Sequence, residues 1–169
     1  MNAQRETPRR MPKGTVGRKE RFRDVRHDTY QARKKWPQNT CCPDCGAAFV
    51  GGRWAWASVP RVEHAVRCPA CQRMADRYPA GFITLRGPFV ATYQDALRRL
   101  IFNVGKAEMN ERPLERLMDV ETKGNTVEVT TTGVHLARRI GQALHRAFDG
   151  DLNLDYADGQ MMVRVTWVR

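Results

Sequence analysis

The sequence has no run of 18 apolar residues, which excludes an ordinary helical membrane span. Its opening residues, Met1-Asn2-Ala3-Gln4-Arg5-Glu6, carry charge with no apolar stretch behind them, so no secretory leader is expected. A cytoplasmic location follows as the expectation, with thiols kept reduced. There is no phosphate-loop motif, no Gly-x-Ser-x-Gly and no convincingly spaced carboxylate pair. The four histidines (27, 64, 135 and 145) are scattered. These absences argue against an enzyme and against a small-molecule substrate. Asp149-Gly150-Asp151-Leu152-Asn153-Leu154-Asp155 opens like a calcium loop but has Leu154 at position six and Gln160 at position twelve. Such a loop needs Gly and Glu there, so the segment reads as a strand. Acidic residues are also scarce: 18 against 29 Lys and Arg, a net charge of +11.

Cysteine is present in small number but in one place. All five lie between positions 41 and 71. Cys42-Pro43-Asp44-Cys45-Gly46 is answered by Cys68-Pro69-Ala70-Cys71, with 22 residues between Cys45 and Cys68. Two Cys-x-x-Cys pairs supply four thiolates to one tetrahedral ion, and zinc is the expected one. Four cysteines close the coordination sphere, so the site is expected to be structural, with one Zn²⁺ at Cys42, Cys45, Cys68 and Cys71. Cys41 is the spare, since Cys42 has the correct spacing to Cys45. His64 stands in reserve as a ligand only if a cysteine drops out. A tetrathiolate centre is formally −2, and Arg53, Arg67 and Arg73 are the nearby cations expected to offset it.

The positive charge is unevenly spread. Residues 1–36 carry twelve Lys and Arg against four acids, or +8. The other 133 residues carry 17 against 14, or +3. A basic arm on a near-neutral body is the pattern of a polyanion binder. Residues 1–36 have few large apolar side chains and are expected to form a disordered tail that orders on a partner. Residues 37–80 are expected to form a zinc ribbon, with a turn at Gly51-Gly52 and strands around Trp54 and Val62–Arg67. A short helical turn at 72–78 should close it.

Residues 81–169 are expected to form an α+β domain. A strand at 82–86 precedes a helix over 91–108, whose Leu97, Leu100, Ile101 and Val104 keep helical spacing. Strands at 115–122 and 126–132 flank Lys123-Gly124-Asn125. A second helix follows over 133–148, with Thr132 as its cap and Ala137, Ile140, Gly141, Leu144 and Phe148 on its apolar side. Two more strands complete a ferredoxin-like type of antiparallel sheet with two helices on one face.

Candidate RNA contacts are Arg18, Lys19, Arg21, Arg23, Arg26, Arg33, Lys34 and Lys35 in the tail, and Arg53, Trp54 and Trp56 in the ribbon. The polar side of the second helix adds Arg138, Arg139 and Arg146, and its start at Thr130-Thr131-Thr132-Gly133 is a candidate phosphate cradle. Aromatics at 54 and 56 offer stacking surfaces for bases.

Several of these motifs occur together in a known setting. Cys-Pro-Asp-Cys-Gly, Arg53-Trp54-x-Trp56, Cys-Pro-Ala-Cys, Asp76-Arg77-Tyr78-Pro79-Ala80-Gly81 and Thr131-Thr132-x-x-His135-Leu136-Ala137-Arg138-Arg139-Ile140-Gly141 resemble a bacterial family of small zinc-ribbon proteins of poorly defined function. The similarity runs from about residue 20 to the end. More distantly, the architecture is similar to the N-terminal part of the archaeal and eukaryotic large-ribosomal-subunit export adaptor, of the nonsense-mediated-decay type. That family has four knuckles where this chain has two, and this chain lacks its later domains and export signal. The resemblance therefore implies ribosome or rRNA binding, on the large subunit, and no export. The leading expectation is a monomeric, zinc-stabilised ribosome-associated protein acting in assembly, hibernation or quality control. The alternatives are a DNA-binding or transcription-associated zinc protein and a protein–protein adaptor.

Overall fold

A computed structural model of the chain describes residue 30, residues 36–157 and residues 161–169. Two sheets organise it. The first holds β1 (Thr40–Cys41), β2 (Ala48–Val50), β3 (Arg53–Ala55) and β4 (His64–Ala65), in the order β3-β2-β1-β4. β4 pairs parallel to β1, and the other pairs are antiparallel. Gly51 and Gly52 both take positive φ (59° and 82°) in the β2–β3 hairpin, a backbone that side chains resist. Strands of two or three residues bury little. Their core is Phe49 and Trp54 packed with Cys42, Cys68, Cys71 and Ala70. The segment continues into α1 (Pro69–Asp76). Pro69 sits in its first turn, where a missing N–H costs nothing, and Arg77 ends it in the left-handed region.

The second sheet holds β5 (Gly81–Arg86), β6 (Leu117–Lys123), β7 (Thr126–Thr131), β8 (Asp151–Ala157) and β9 (Met162–Val168), in the order β6-β7-β5-β9-β8. The helices are α2 (Pro88–Thr92), α3 (Gln94–Glu111) and α4 (Val134–Phe148). The helix expected over 91–108 is thus two helices, broken at Tyr93. α3 and α4 cover the sheet face bearing Ile83, Leu85, Val127, Val129, Val163, Val165 and Trp167. They bury Leu97, Ile101, Leu136, Ile140 and Leu144 against it. Each such side chain contributes about 1.5–3 kcal/mol by leaving water.

The sheet is mixed, which corrects the expected all-antiparallel arrangement: β5 and β9 run parallel. The strand after α4 does not pair with β5. β8 takes the edge, and β9 turns back to fill the place between β8 and β5. The reason lies in side chains. On its core face β9 offers Val163, Val165 and Trp167, all fully buried, whereas β8 offers half-buried Leu152 and Leu154 beside exposed Asp151, Asn153 and Asp155. The more apolar strand goes inside and the charged one guards the edge.

Among the described residues, no helix covers the other face. There Asp119, Glu121, Glu128, Asp151 and Asp155 outnumber Lys123, Arg86 and Arg164, and Lys123 bridges Glu121 and Glu128 at 2.8 and 2.9 Å. Among the described residues, no helix is long and apolar enough to cross a membrane.

Thr132 does not cap α4, which corrects the expectation. Gly133 is the cap position, and the Thr132 hydroxyl donates to the Leu114 carbonyl at 2.6 Å. The capping group comes from far along the chain: Glu115 Oε2 accepts the Leu136 N–H at 2.8 Å. A β-carbon at Gly133 would lie 2.5 Å from that carboxylate, so a glycine keeps the space open. Burial raises the Glu115 carboxyl above its ordinary range, and the Leu136 N–H works against that rise.

At Gly81, where β5 begins, an added β-carbon would meet Thr131 Oγ1 and, at 2.5 Å, the Ala137 β-carbon of α4. Gly81→Ala is therefore expected to push α4 off the sheet and destabilise the fold by about 1–3 kcal/mol. A thermal melt equal to the parent's would show the approach to be looser than described.

Candidate metal centre

β1 leads directly into the first knuckle. Cys42 N–H donates to the Ala47 carbonyl at 2.8 Å and Gly46 N–H to the Cys42 carbonyl at 2.9 Å. Gly46 turns at φ 76°. The second knuckle is the start of α1. Cys68 is its cap residue, its sulfur accepting the Cys71 N–H at 3.5 Å, and Cys71 lies in the first helical turn. The Cys68 N–H in turn donates to Cys42 Sγ at 3.3 Å. These bonds aim the sulfurs at a common point.

The sulfurs of Cys42, Cys45, Cys68 and Cys71 all lie within 4.8 Å of one another, and Cys45 Sγ and Cys68 Sγ are 3.8 Å apart. Four sulfurs about 2.3 Å from one tetrahedral ion stand about 3.8 Å apart. The donor set fits a metal ion, and with four protein ligands it leaves no position for water. The cluster includes neither Cys41, half-buried on β1, nor exposed His64.

Burial pushes the Cys71 thiol up to about 11 and drives Cys68 higher still. Burial also acts on Cys45, but the Ala47 N–H and the Arg116 guanidinium outweigh it and bring that thiol down to about 7. Among the described residues, Arg116 is the cation that reaches the cluster: its Nη1 donates to Cys71 Sγ at 3.3 Å, and its Nη2 lies 3.9 Å from Cys68 Sγ. Partial burial would lower Arg116, yet the sulfurs beside it raise it. The expected counter-charges do not reach the sulfurs among the described contacts. Arg67 pairs with Asp44 at 2.6 Å, Arg73 donates to the Tyr78 carbonyl at 3.1 Å, and Arg53 is exposed on β3. Sequence reading missed Arg116 because it lies 45 residues beyond Cys71, with no motif to mark it.

The other candidate contacts divide. Arg18, Lys19, Arg21, Arg23, Arg26, Arg33, Lys34 and Lys35 lie outside the described residues, as does most of the tail. Tyr30 is described, and it is docked. Its hydroxyl donates to Asp76 Oδ2 at 3.0 Å, its ring stacks on Tyr78, and the Arg73 guanidinium lies 4.4 Å above it. Trp36 packs edge-on against Trp54.

Trp54 is only 8% exposed, wedged between Trp36 and Phe49 in the core of the first sheet, so it offers no face to a base. Trp56 is 43% exposed, but its indole N–H donates to the Met109 carbonyl of α3 at 2.6 Å. Arg138 and Arg146 are exposed on α4. Arg139 donates to buried Glu108 at 2.8 Å, where His135 and Arg112 also converge, at 3.2 and 3.3 Å. His135 and Arg139 are one helical turn apart and grip the same carboxylate. The start of α4 is filled by Glu115, so it does not form the expected phosphate cradle.

Comparison with family models, with curated proteins and with solved structures finds no match to this chain.

The raised thiols fix the direction of a pH effect. In the metal-free fold, Cys68 and Cys71 hold their protons at neutral pH, and a bound ion must displace both. Lowering pH therefore strengthens proton competition. Apparent metal affinity is expected to fall at least about 100-fold per pH unit near neutrality. Competition against a chromophoric chelator across pH checks this, and a flat profile would contradict it. Cys42→Ser and Cys71→Ser should each abolish tight binding.

Proposed function

We propose that the chain is a zinc-stapled RNA-binding protein without catalytic activity, and that its target is ribosomal RNA of the large subunit. The observation that carries this reading is the placement of charge. Residues 1–36 hold +8 of the net +11. The root of that arm is held against α1 through Tyr30, beside the helix that carries Cys71. α4 adds exposed Arg138 and Arg146, with no acidic residue anywhere in Val134–Phe148. A polyanion meeting the helical side finds cations, and the chemistry of phosphate neutralisation needs nothing more specific.

Zinc is the favoured ion because a closed tetrahedral set of four thiolates suits it and asks no redox chemistry of it. Its task is to hold the first sheet together, since strands this short cannot do so alone. The distant resemblance to the large-ribosomal-subunit export adaptor, carried by the knuckles and by the helix at residues 135–139, supports RNA on the ribosome over duplex DNA. In this reading, arm and helix arginines release counterions from the phosphates, and the folded body sets where the protein docks.

Cosedimentation with ribosomes over a salt series tests this. The full chain is expected to travel with large subunits at low salt and to leave them as salt rises. Deleting residues 1–29 removes nine Lys and Arg but leaves Tyr30. The log–log salt slope should flatten by about 0.7–0.9 for each phosphate that the shortened chain no longer neutralises. A full-length chain that stays at the top of the gradient at low salt overturns the ribosome reading. If the same chain retards duplex DNA, the DNA-binding alternative replaces it.

A further inference from the structure

We propose that Arg116 is the counter-cation of the metal centre and that, through it, occupancy of the centre locks the first sheet onto the segment joining α3 to β6. The inference rests on the four cysteines holding a divalent ion and is independent of what the protein binds.

Four thiolates on a divalent ion leave a formal charge of −2 in a half-buried place, which is costly unless a cation answers it. Arg116 stands within hydrogen-bond reach of these sulfurs, and both terminal nitrogens of its fork are aimed at them: Cys71 at 3.3 Å and Cys68 at 3.9 Å. Its position is imposed by its neighbours. The Nε donates to the Pro113 carbonyl at 2.7 Å, and the backbone N–H donates to Thr132 Oγ1 at 2.9 Å. Thr132 N–H returns a bond to the Arg116 carbonyl at 2.9 Å. The guanidinium lies 5.8 Å from the Trp56 ring.

Trp56 then closes the circuit. It follows β3 of the first sheet, and its indole N–H is bound to Met109 on α3. Leu114 packs into the cysteine cluster from the same segment. Residues 109–116 therefore meet the first sheet and its cysteines through Met109, Leu114 and Arg116. Of these, Arg116 alone depends on sulfur charge. Loss of the ion releases the sulfur positions that the Arg116 fork is aimed at, so the segment should loosen with the metal.

The tests are zinc affinity and amide hydrogen exchange in the full chain. Zinc affinity is read by competition with a chromophoric chelator for the parent, Arg116→Gln, Arg116→Lys and Arg67→Gln. Arg116→Gln is expected to weaken zinc by about 10–100-fold, the usual effect of losing a residue that orients and balances metal ligands. Arg116→Lys should recover part of that loss, since it keeps the charge but not the fork. Arg67→Gln, which breaks an exposed ion pair at the first knuckle, should stay within about twofold. In the parent, removing zinc should speed exchange across residues 109–117 while β5 and β9 keep their protection. That measurement needs no variant and stands even if Arg116→Gln folds poorly. Equal zinc affinity of parent and Arg116→Gln overturns the proposal, and so does exchange at 109–117 that ignores zinc. A parent chain that takes up no zinc, cobalt or iron overturns the metal reading itself, and the proposal falls with it.

Discussion

Four sulfurs meeting at one point is the constraint on which the first half of the molecule depends. The strands around them are two or three residues long, and their core is little more than Phe49, Trp54 and the cysteines themselves. Hydrophobic burial on that scale does not offset the conformational entropy of some forty ordered residues. Without an ion, the buried thiols of Cys68 and Cys71 stay protonated and supply little attraction. An ion held there would supply much of the folding energy of this half. α1 inherits that condition, since its cap and first turn are both ligand candidates, and Tyr30 inherits it from α1.

The second half has an independent basis. Its sheet and helices enclose a continuous apolar core running from Ile83 to Trp167. Polar groups there are used for assembly. Buried Glu108 and half-buried Glu115 sit at the junction of α3 and α4, the first held by Arg112, His135 and Arg139, the second by a backbone N–H of α4. A buried carboxylate stripped of such partners costs several kcal/mol. This explains why the His135–Arg139 stretch pairs a histidine with an arginine at that spacing. One of the arginines that reads as a free cation in the sequence is structural.

What was legible in the sequence was local. The Cys-x-x-Cys spacing marked the four sulfurs, because a knuckle is a turn of five residues. Gly51-Gly52 marked a hairpin, because few other residues tolerate its φ. Helical periodicity at Leu97–Val104 and Ala137–Phe148 marked two buried stripes. What was illegible was long-range. Arg116 approaches Cys71 across 45 residues, and Glu115 caps a helix that starts 19 positions later. Trp54 and Trp56 look equivalent by alternation, yet one lies in the core and the other beyond the end of β3. The place of β9 between β5 and β8 was hidden too, since it is decided by competition between two strands for the sheet interior.

The uncovered sheet face has a consequence for how the molecule meets a partner. Five carboxylates on that face oppose three cations, while α4 on the other side carries three arginines and no acid and α3 balances three cations with three acids. The second half is thus more acidic on its sheet face than along α4. In the field of a polyanion such a body experiences a torque as well as a pull, and it turns its helices forward before contact. For the polyanion proposed above, the more acidic sheet face would be the trailing side of the encounter.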